Sequence, residues 1–378
     1  MKRWRCALAG AALLISGCAN RGPALPEVLR ESAPPAVEIA APFFPQQDYQ
    51  CGPAALATVL GYSGVGVTPD ALAPQVYLPQ RQGSLQIELV AAARRHGRVP
   101  VTIEPELRAL LAELQAGRPV LVLQNLRLRT WPAWHYAVVV GYDAQRDVLV
   151  LRSGETRRLE TPTAEFRRTW DLGDRWGLVT LVPGELPASG DPQRYLEAVA
   201  GMEGMAAADT LIAAYRAALV RWPGHFAARF GLANALRAGG DLAGAEALYR
   251  ALLAERPGEP AVANNLADLL IERRCPDAAV TLLDRVLAGG ARFALRSALE
   301  RTRAEAQAAR STSGTGCAAV SVAPGDWGGK RQRRPLTVSV AFAAVRPPLR
   351  RKTKTPRQRM AGAPSGTQRK SCGRVPWR

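Results

Sequence analysis

Between residues 193 and 309 the chain repeats itself every 34 residues, and this period narrows its fold more than any other feature. Tyr215 returns as Tyr249, Leu219 as Leu253 and Pro223 as Pro257. Leu232 and Ala233 return as Leu266 and Ala267, and Ala245 returns as Ala279. A period of this length is one helix–turn–helix unit. Small Ala side chains let paired helices approach closely, while the aromatic and Leu positions fill the seam between them. One unit cannot bury its own apolar face, so units must stack. About three fit in this stretch, near the minimum for a stable array. A helical bundle without repeats does not account for matched positions at one spacing.

Residues 37–185 read differently. Helix patterns occupy Cys51 to Leu60, residues 69–76, residues 85–96, and Leu107 to Gln115, the last stopped by Gly117 and Pro119. Strand patterns follow at Pro119 to Gln124, His135 to Tyr142, Val148 to Arg152 and Gly177 to Val182, with a turn over Asp143 to Asp147. Helices first and an antiparallel sheet afterwards predict an α+β domain. Residues 184–192, rich in Pro and Gly, are the linker to the repeats.

The chemistry is concentrated in Phe43-Phe-Pro-Gln46-Gln47-Asp-Tyr-Gln-Cys51-Gly52-Pro53-Ala-Ala-Leu-Ala57. A catalytic thiol needs help to ionise, and a helix N-terminus supplies it through unpaired N–H groups and the helix dipole. Cys51 sits where a helix begins, so its backbone N–H also faces a developing oxyanion. Gln is a good neutral second donor, and Gln46 and Gln47 compete for that role. A base is also required. Of the three His, His96 ends a helix and His225 lies in a turn of the repeats, whereas His135 opens the apolar strand HYAVVVGY.

The run Gln46…Cys51-Gly-Pro-Ala-Ala-Leu-Ala, followed by His135-Tyr-Ala-Val-Val-Val-Gly-Tyr, resembles the bacteriocin-processing, double-glycine leader peptidases and their stand-alone relatives. The resemblance covers roughly residues 38–183. It implies a papain-like cysteine peptidase fold, peptide-bond hydrolysis through a thioester, no cofactor and no metal. It assigns Gln46 as oxyanion donor, Cys51 as nucleophile and His135 as base and acid. Such peptidases orient the His with an Asp on the following strand. Here that neighbourhood is Leu151-Arg152-Ser153-Gly154, without a carboxylate. Asp143 lies eight residues along the same strand, about 26 Å away at ~3.3 Å per residue. A hairpin turning near 143–147 brings Ser153 back opposite His135, which makes Ser153 the candidate for orienting the ring. A Cys–His pair works without a strong third member when the thiolate is already partly formed. The 34-residue units resemble tetratricopeptide repeats, so residues 193–309 are expected to bind a partner protein.

Lys2, Arg3 and Arg5 precede an apolar stretch at 6–16, which reads as a secretion signal too short to span a bilayer. Ile15-Ser16-Gly17-Cys18 resembles a bacterial lipobox, which implies lipidation at Cys18, and Ala19 in second place favours the outer membrane. A plain signal peptide with an incidental Cys is the competing reading. Residues 1–18 are then signal, 19–36 a Pro- and Ala-rich tether, and 310–378 a basic disordered tail. Residues 311–378 hold fifteen Lys or Arg against one acid, Asp326, and so carry +14 of the net +18. The remainder is ordinary for a soluble protein, which argues against a nucleic-acid partner. Export puts the thiols in an oxidising compartment, where Cys275 and Cys317 are a candidate disulfide. No GxxxxGK[ST] loop is present, so the chain is neither an ATPase nor an exporter.

Two functions follow. The first is an envelope-anchored cysteine peptidase acting on an exported peptide or protein from the periplasmic face of the outer membrane. The second is a catalytically weak peptide-binding or assembly lipoprotein that works through its repeats.

Overall fold

The computed structural model describes residues 24–29, 33–46, 50–188, 190–289 and 295–310. Cys18, Gln47, Cys317, the expected signal peptide and the basic tail lie outside the described residues. The chain opens with a short helix α1 (Leu25–Val28) and strand β1 (Ala36–Glu38), then α2 (Cys51–Tyr62) and α3 (Pro69–Val76). A small hairpin follows, β2 (Tyr77–Leu78) and β3 (Gly83–Ser84), joined by a 3₁₀ turn at Pro79–Arg81. Next come α4 (Gln86–Arg95), β4 (Val99–Thr102), α5 (Leu107–Gln115), β5 (Val120–Asn125), β6 (Trp134–Asp143), β7 (Val148–Ser153), β8 (Thr156–Pro162), α6 (Thr163–Asp171) and β9 (Gly177–Leu181).

The sheet runs in the order β4-β9-β5-β6-β7-β8, with β1 added alongside the second half of β6, and all its pairings are antiparallel. Three of its strands carry no strand pattern in the sequence, and each has a physical reason. β1 is only three residues long. β4 contains Pro100 and lies at the sheet's edge, where a missing N–H is tolerated. β8, TRRLETP, is the opposite edge strand and is largely exposed, so it lacks an apolar face to read.

α2 is the central helix of this domain. Gly52 through Leu60 are all buried, because an all-round apolar helix such as CGPAALATVL must be enclosed on every side. Full burial of Leu56, Val59 and Leu60 contributes roughly 1.5–3 kcal/mol each. Thr180 Oγ1 donates to the Val59 carbonyl at 3.1 Å and fastens β9 to the helix.

The repeats comprise α8 (Ala208–Arg221), α9 (Phe226–Ala238), α10 (Leu242–Glu255), α11 (Pro260–Glu272), α12 (Pro276–Ala288) and α13 (Arg296–Ala309), each packed on the next. The helix before them, α7 (Pro192–Ala200), packs on β4, so the buried apolar side chains run continuously from the sheet domain into the stack. The linker is pinned as well. Glu113 is fully buried, and its carboxylate accepts from Arg118 Nε at 2.6 Å and from the Ala188 N–H at 2.8 Å. Cys275 is disulfide-bonded, and its expected partner, Cys317, lies outside the described residues.

Candidate active site

The N-terminus of α2 opens into a cavity of about 740 Å³ whose lining includes Gln46, Cys51, Ser84, Trp134, His135, Tyr136 and Asp174. Cys51 is half-buried and is not in a disulfide. Gln50, at the N-cap, makes no side-chain cap bond, and Pro53 has no N–H, so the dipole's positive end faces the cavity. Gly52 allows the hairpin to close over the nucleophile, since a Cβ there would stand 2.6 Å from Ser84 Cβ.

His135 lies at the start of β6, where the sheet gives way to the cleft. Its Nε2 is 2.8 Å from Ser153 Oγ. The register differs from the one expected. Val138 pairs with Arg152, and a bulge between Val139 and Gly141 shifts the strands, so Ser153 falls beside Ala137. Ser153 is therefore the diagonal neighbour of His135 rather than its direct opposite, still within side-chain reach. The bulge lies where β1 crosses β6, and a Cβ on Gly141 would come within 2.9 Å of Glu38 Cα. Asp143 takes no part in the site. Its carboxylate accepts from the N–H groups of Gln145 and Arg146 and shapes the β6–β7 turn. Burial pulls the His135 imidazole down to about 4, so it is neutral at ordinary pH.

Gln46 is held twice. Its backbone N–H donates to the Gly154 carbonyl at 3.1 Å. Its side-chain Nε2 donates to the Tyr136 carbonyl at 3.4 Å. One amide N–H is thereby oriented, and the other has no partner among the described residues. Tyr136 also ties the hairpin down, its hydroxyl donating to the Ser84 carbonyl at 3.2 Å. Burial and then the negative charge of Cys51 raise the Tyr136 hydroxyl well above its usual range.

Gln46, Cys51, His135 and Ser153 thus meet at one cleft. His96 and His225 do not, since they terminate α4 and precede α9. The hairpin wall, Tyr136, Trp134 and Asp174 were not singled out in the sequence. The only local signal for the hairpin is its Pro79 and Gly83 punctuation, and Tyr136 reads as one more strand residue.

Residues 38–173 match the model of the Peptidase_C39 like family, and residues 212–260 match that of the tetratricopeptide repeat. The first domain is a C39-like peptidase domain. Among solved structures, a putative C39-like peptidase from Bacillus anthracis is 18% identical, with a TM-score of 0.32, over 39% of this chain and 97% of its own. A double glycine motif protease from an AMS/PCAT transporter, solved in complex with the leader peptide, is 20% identical, with a TM-score of 0.30, over 38% of this chain and 93% of its own. The peptidase domain of Streptococcus ComA, a bi-functional ABC transporter involved in a quorum sensing pathway, is 18% identical, with a TM-score of 0.29, over 38% and 97%. No curated protein matches the chain. The C39-like domain is followed by helices of the tetratricopeptide type, a combination that joins a peptidase-like fold to a scaffold suited to protein contacts.

Proposed function

We propose that this protein is a cysteine peptidase that cleaves an exported peptide or protein through a Cys51–His135 thioester mechanism. The observation that carries the reading is the hydrogen bond between His135 Nε2 and Ser153 Oγ, made beside a cavity that Cys51 and Gln46 also line. With Nε2–H donated to Ser153, the lone pair lies on Nδ1, which takes the Cys51 proton. The thiolate adds to the scissile carbonyl. The Gln46 amide and the Cys51 N–H stabilise the oxyanion. His135 then gives its proton to the leaving amine, and a water activated by the same imidazole hydrolyses the thioester and restores the thiol. The protein is anchored to the envelope through a lipid on Cys18, facing the periplasm, and its repeats hold a partner protein or the substrate.

Incubating the full chain with a mixed peptide library and reading new termini by mass spectrometry tests the enzyme. The wild type yields new termini and Cys51→Ala yields none; equal yields from both would sink the reading. Loss of labelled fatty acid in Cys18→Ala tests the anchor. The second reading, a weak or inactive peptide-binding protein, draws on one observation: the group behind His135 is a neutral hydroxyl, which holds an imidazolium less firmly than a carboxylate would.

A further inference from the structure

The connection from α6 to β9 reaches the Cys51 cavity at Asp174. Gly173 lies so close to β5 that a Cβ there would stand 2.3 Å from the Leu123 carbonyl oxygen. Leu123 pairs with Tyr136, the residue after His135, so the connection meets the sheet beside the cleft. The chain then passes through two consecutive non-glycine residues in the left-handed region, Asp174 at φ +55° and Arg175 at φ +52°. Backbone groups and one indole hold this turn. The Arg175 N–H donates to the Trp170 carbonyl at 2.9 Å, the Trp176 N–H to the Gly173 carbonyl at 3.2 Å, and Trp170 Nε1 to the Trp176 carbonyl at 2.9 Å. The Asp174 carboxylate has no part in this, and it makes no hydrogen bond or ion pair among the described residues.

The nearest cation in sequence is already committed. Arg175 Nε donates to Asp171 Oδ1 at 2.6 Å, and another of its donors reaches the Pro105 carbonyl at 3.4 Å. Asp174 does not stand in for the absent carboxylate behind His135 either, because the bond from that ring goes to Ser153. Apart from the Cys51–His135 pair, two side chains of the described cavity lining carry a formal charge: Asp174 and Arg81, the latter in the turn of the hairpin wall. A single carboxylate with no second acid in the lining does not make a metal site. It does complement a positive charge on whatever fills the cleft, and a fixed backbone holds it in place for that contact. We propose that Asp174 is a specificity residue, which holds the ammonium or guanidinium of a substrate Lys or Arg seated beside the cleaved bond. The proposal rests on the peptidase reading above and names the class of peptide that this cleft selects.

The test uses the full chain and two pools of acetylated, amidated octapeptides built on the same neutral residues, one pool carrying Lys and the other Glu at random positions. Blocked termini leave the side chain as the only source of positive charge. Both pools are mixed with the Cys51→Ala chain, and the retained peptides are counted by mass spectrometry. Adding Asp174→Asn is expected to lower the ratio of retained Lys to Glu peptides about tenfold. Asn and Gly both suit a positive φ, so the turn keeps its shape in Asp174→Asn and in Asp174→Gly, and the second variant is expected to give the same fall. An unchanged ratio in both variants overturns the proposal. Cleavage is read separately, with Cys51 intact. Lys is expected to cluster beside the new termini, and an even spread along the cut peptides overturns its placement at Asp174. If the wild type cuts neither pool while the retained ratio still falls, the peptidase reading fails and the cation site stands. If the wild type cuts and Asp174→Asn cuts the two pools in the same proportion, the cation site alone fails.

Discussion

The repeat stack and the peptidase cleft use polar side chains in opposite ways. In the stack, buried and half-buried polar groups satisfy one another. Asn234 Oδ1 accepts from the Tyr249 hydroxyl at 2.7 Å and from Asn265 Nδ2 at 2.9 Å, and Thr302 Oγ1 donates to Asn264 Oδ1 at 3.0 Å. The first bond joins α9 to α10, and the other two join α9 to α11 and α11 to α13, so all three are consumed in building the array. In the cleft, Gln46 uses one side-chain donor among the described residues, and His135 is held by Ser153 through one ring nitrogen. Residues fixed by half their hydrogen-bonding capacity leave the rest for a ligand, so chemistry is expected where packing stops short of using every donor.

Substitutions on the two sides should separate activity from stability. His135→Ala should lower kcat/KM by about 10²–10⁴-fold while leaving the melting temperature close to wild type; a large drop in melting temperature would place His135 among the structural residues instead. In the stack, Leu266→Ala removes a fully buried side chain and should cost about 2–5 kcal/mol in denaturant unfolding, with hydrolysis of a short peptide unchanged in the folded fraction.

Titration gives a third test. Burial lowers the His135 pKa from 6.5 to about 4, so the unfolded chain binds the proton first as pH falls. The stability held above pH 6.5 is therefore lost progressively down to about 4, by at most about 3 kcal/mol. Denaturant midpoints of wild type and His135→Ala, similar at neutral pH, should diverge over that window, the wild type falling below the variant. The same value predicts that the base stays competent in mild acid, so the limb of kcat/KM that belongs to His135 should lie near 4.

Asn234→Ala should cost about 1–3 kcal/mol, since it strands the donors of Tyr249 and Asn265, again without change in kcat. The smallest effect is expected at Ser153. Ser153→Ala removes one hydrogen bond to the ring, worth about 1 kcal/mol, or several-fold in rate. Ser153→Asp should raise the His135 pKa and move the acid limb upward. An unmoved limb would show that residue 153 does not face the ring in the free enzyme.

Much of this was legible in the chain. The repeats announce themselves because each contact they make recurs one unit later, so packing is written as a period. α2 was readable from its apolar run, and Cys51 from its place at the helix start. The hairpin roof was not, because its two-residue strands have no periodicity and exist only by closing over Gly52. β4 and β8 were missed because edge strands carry Pro or polar side chains. The His135–Ser153 pair was anticipated in composition and misplaced in register, because the turn pairs Asp143 with Val148 and the bulge between Val139 and Gly141, which has no sequence pattern, then brings Ser153 beside Ala137 on the His135 face.

The sequence by itself determined that there would be a helical array after an α+β domain, with one thiol at a helix start and one histidine at a strand entry. Only the tertiary structure decided that they share a cleft. Gln46 reaches Tyr136 across ninety residues, and Tyr136 reaches back to Ser84 across fifty-two. Contacts at such separations leave no local pattern, because they depend on how the whole sheet wraps α2.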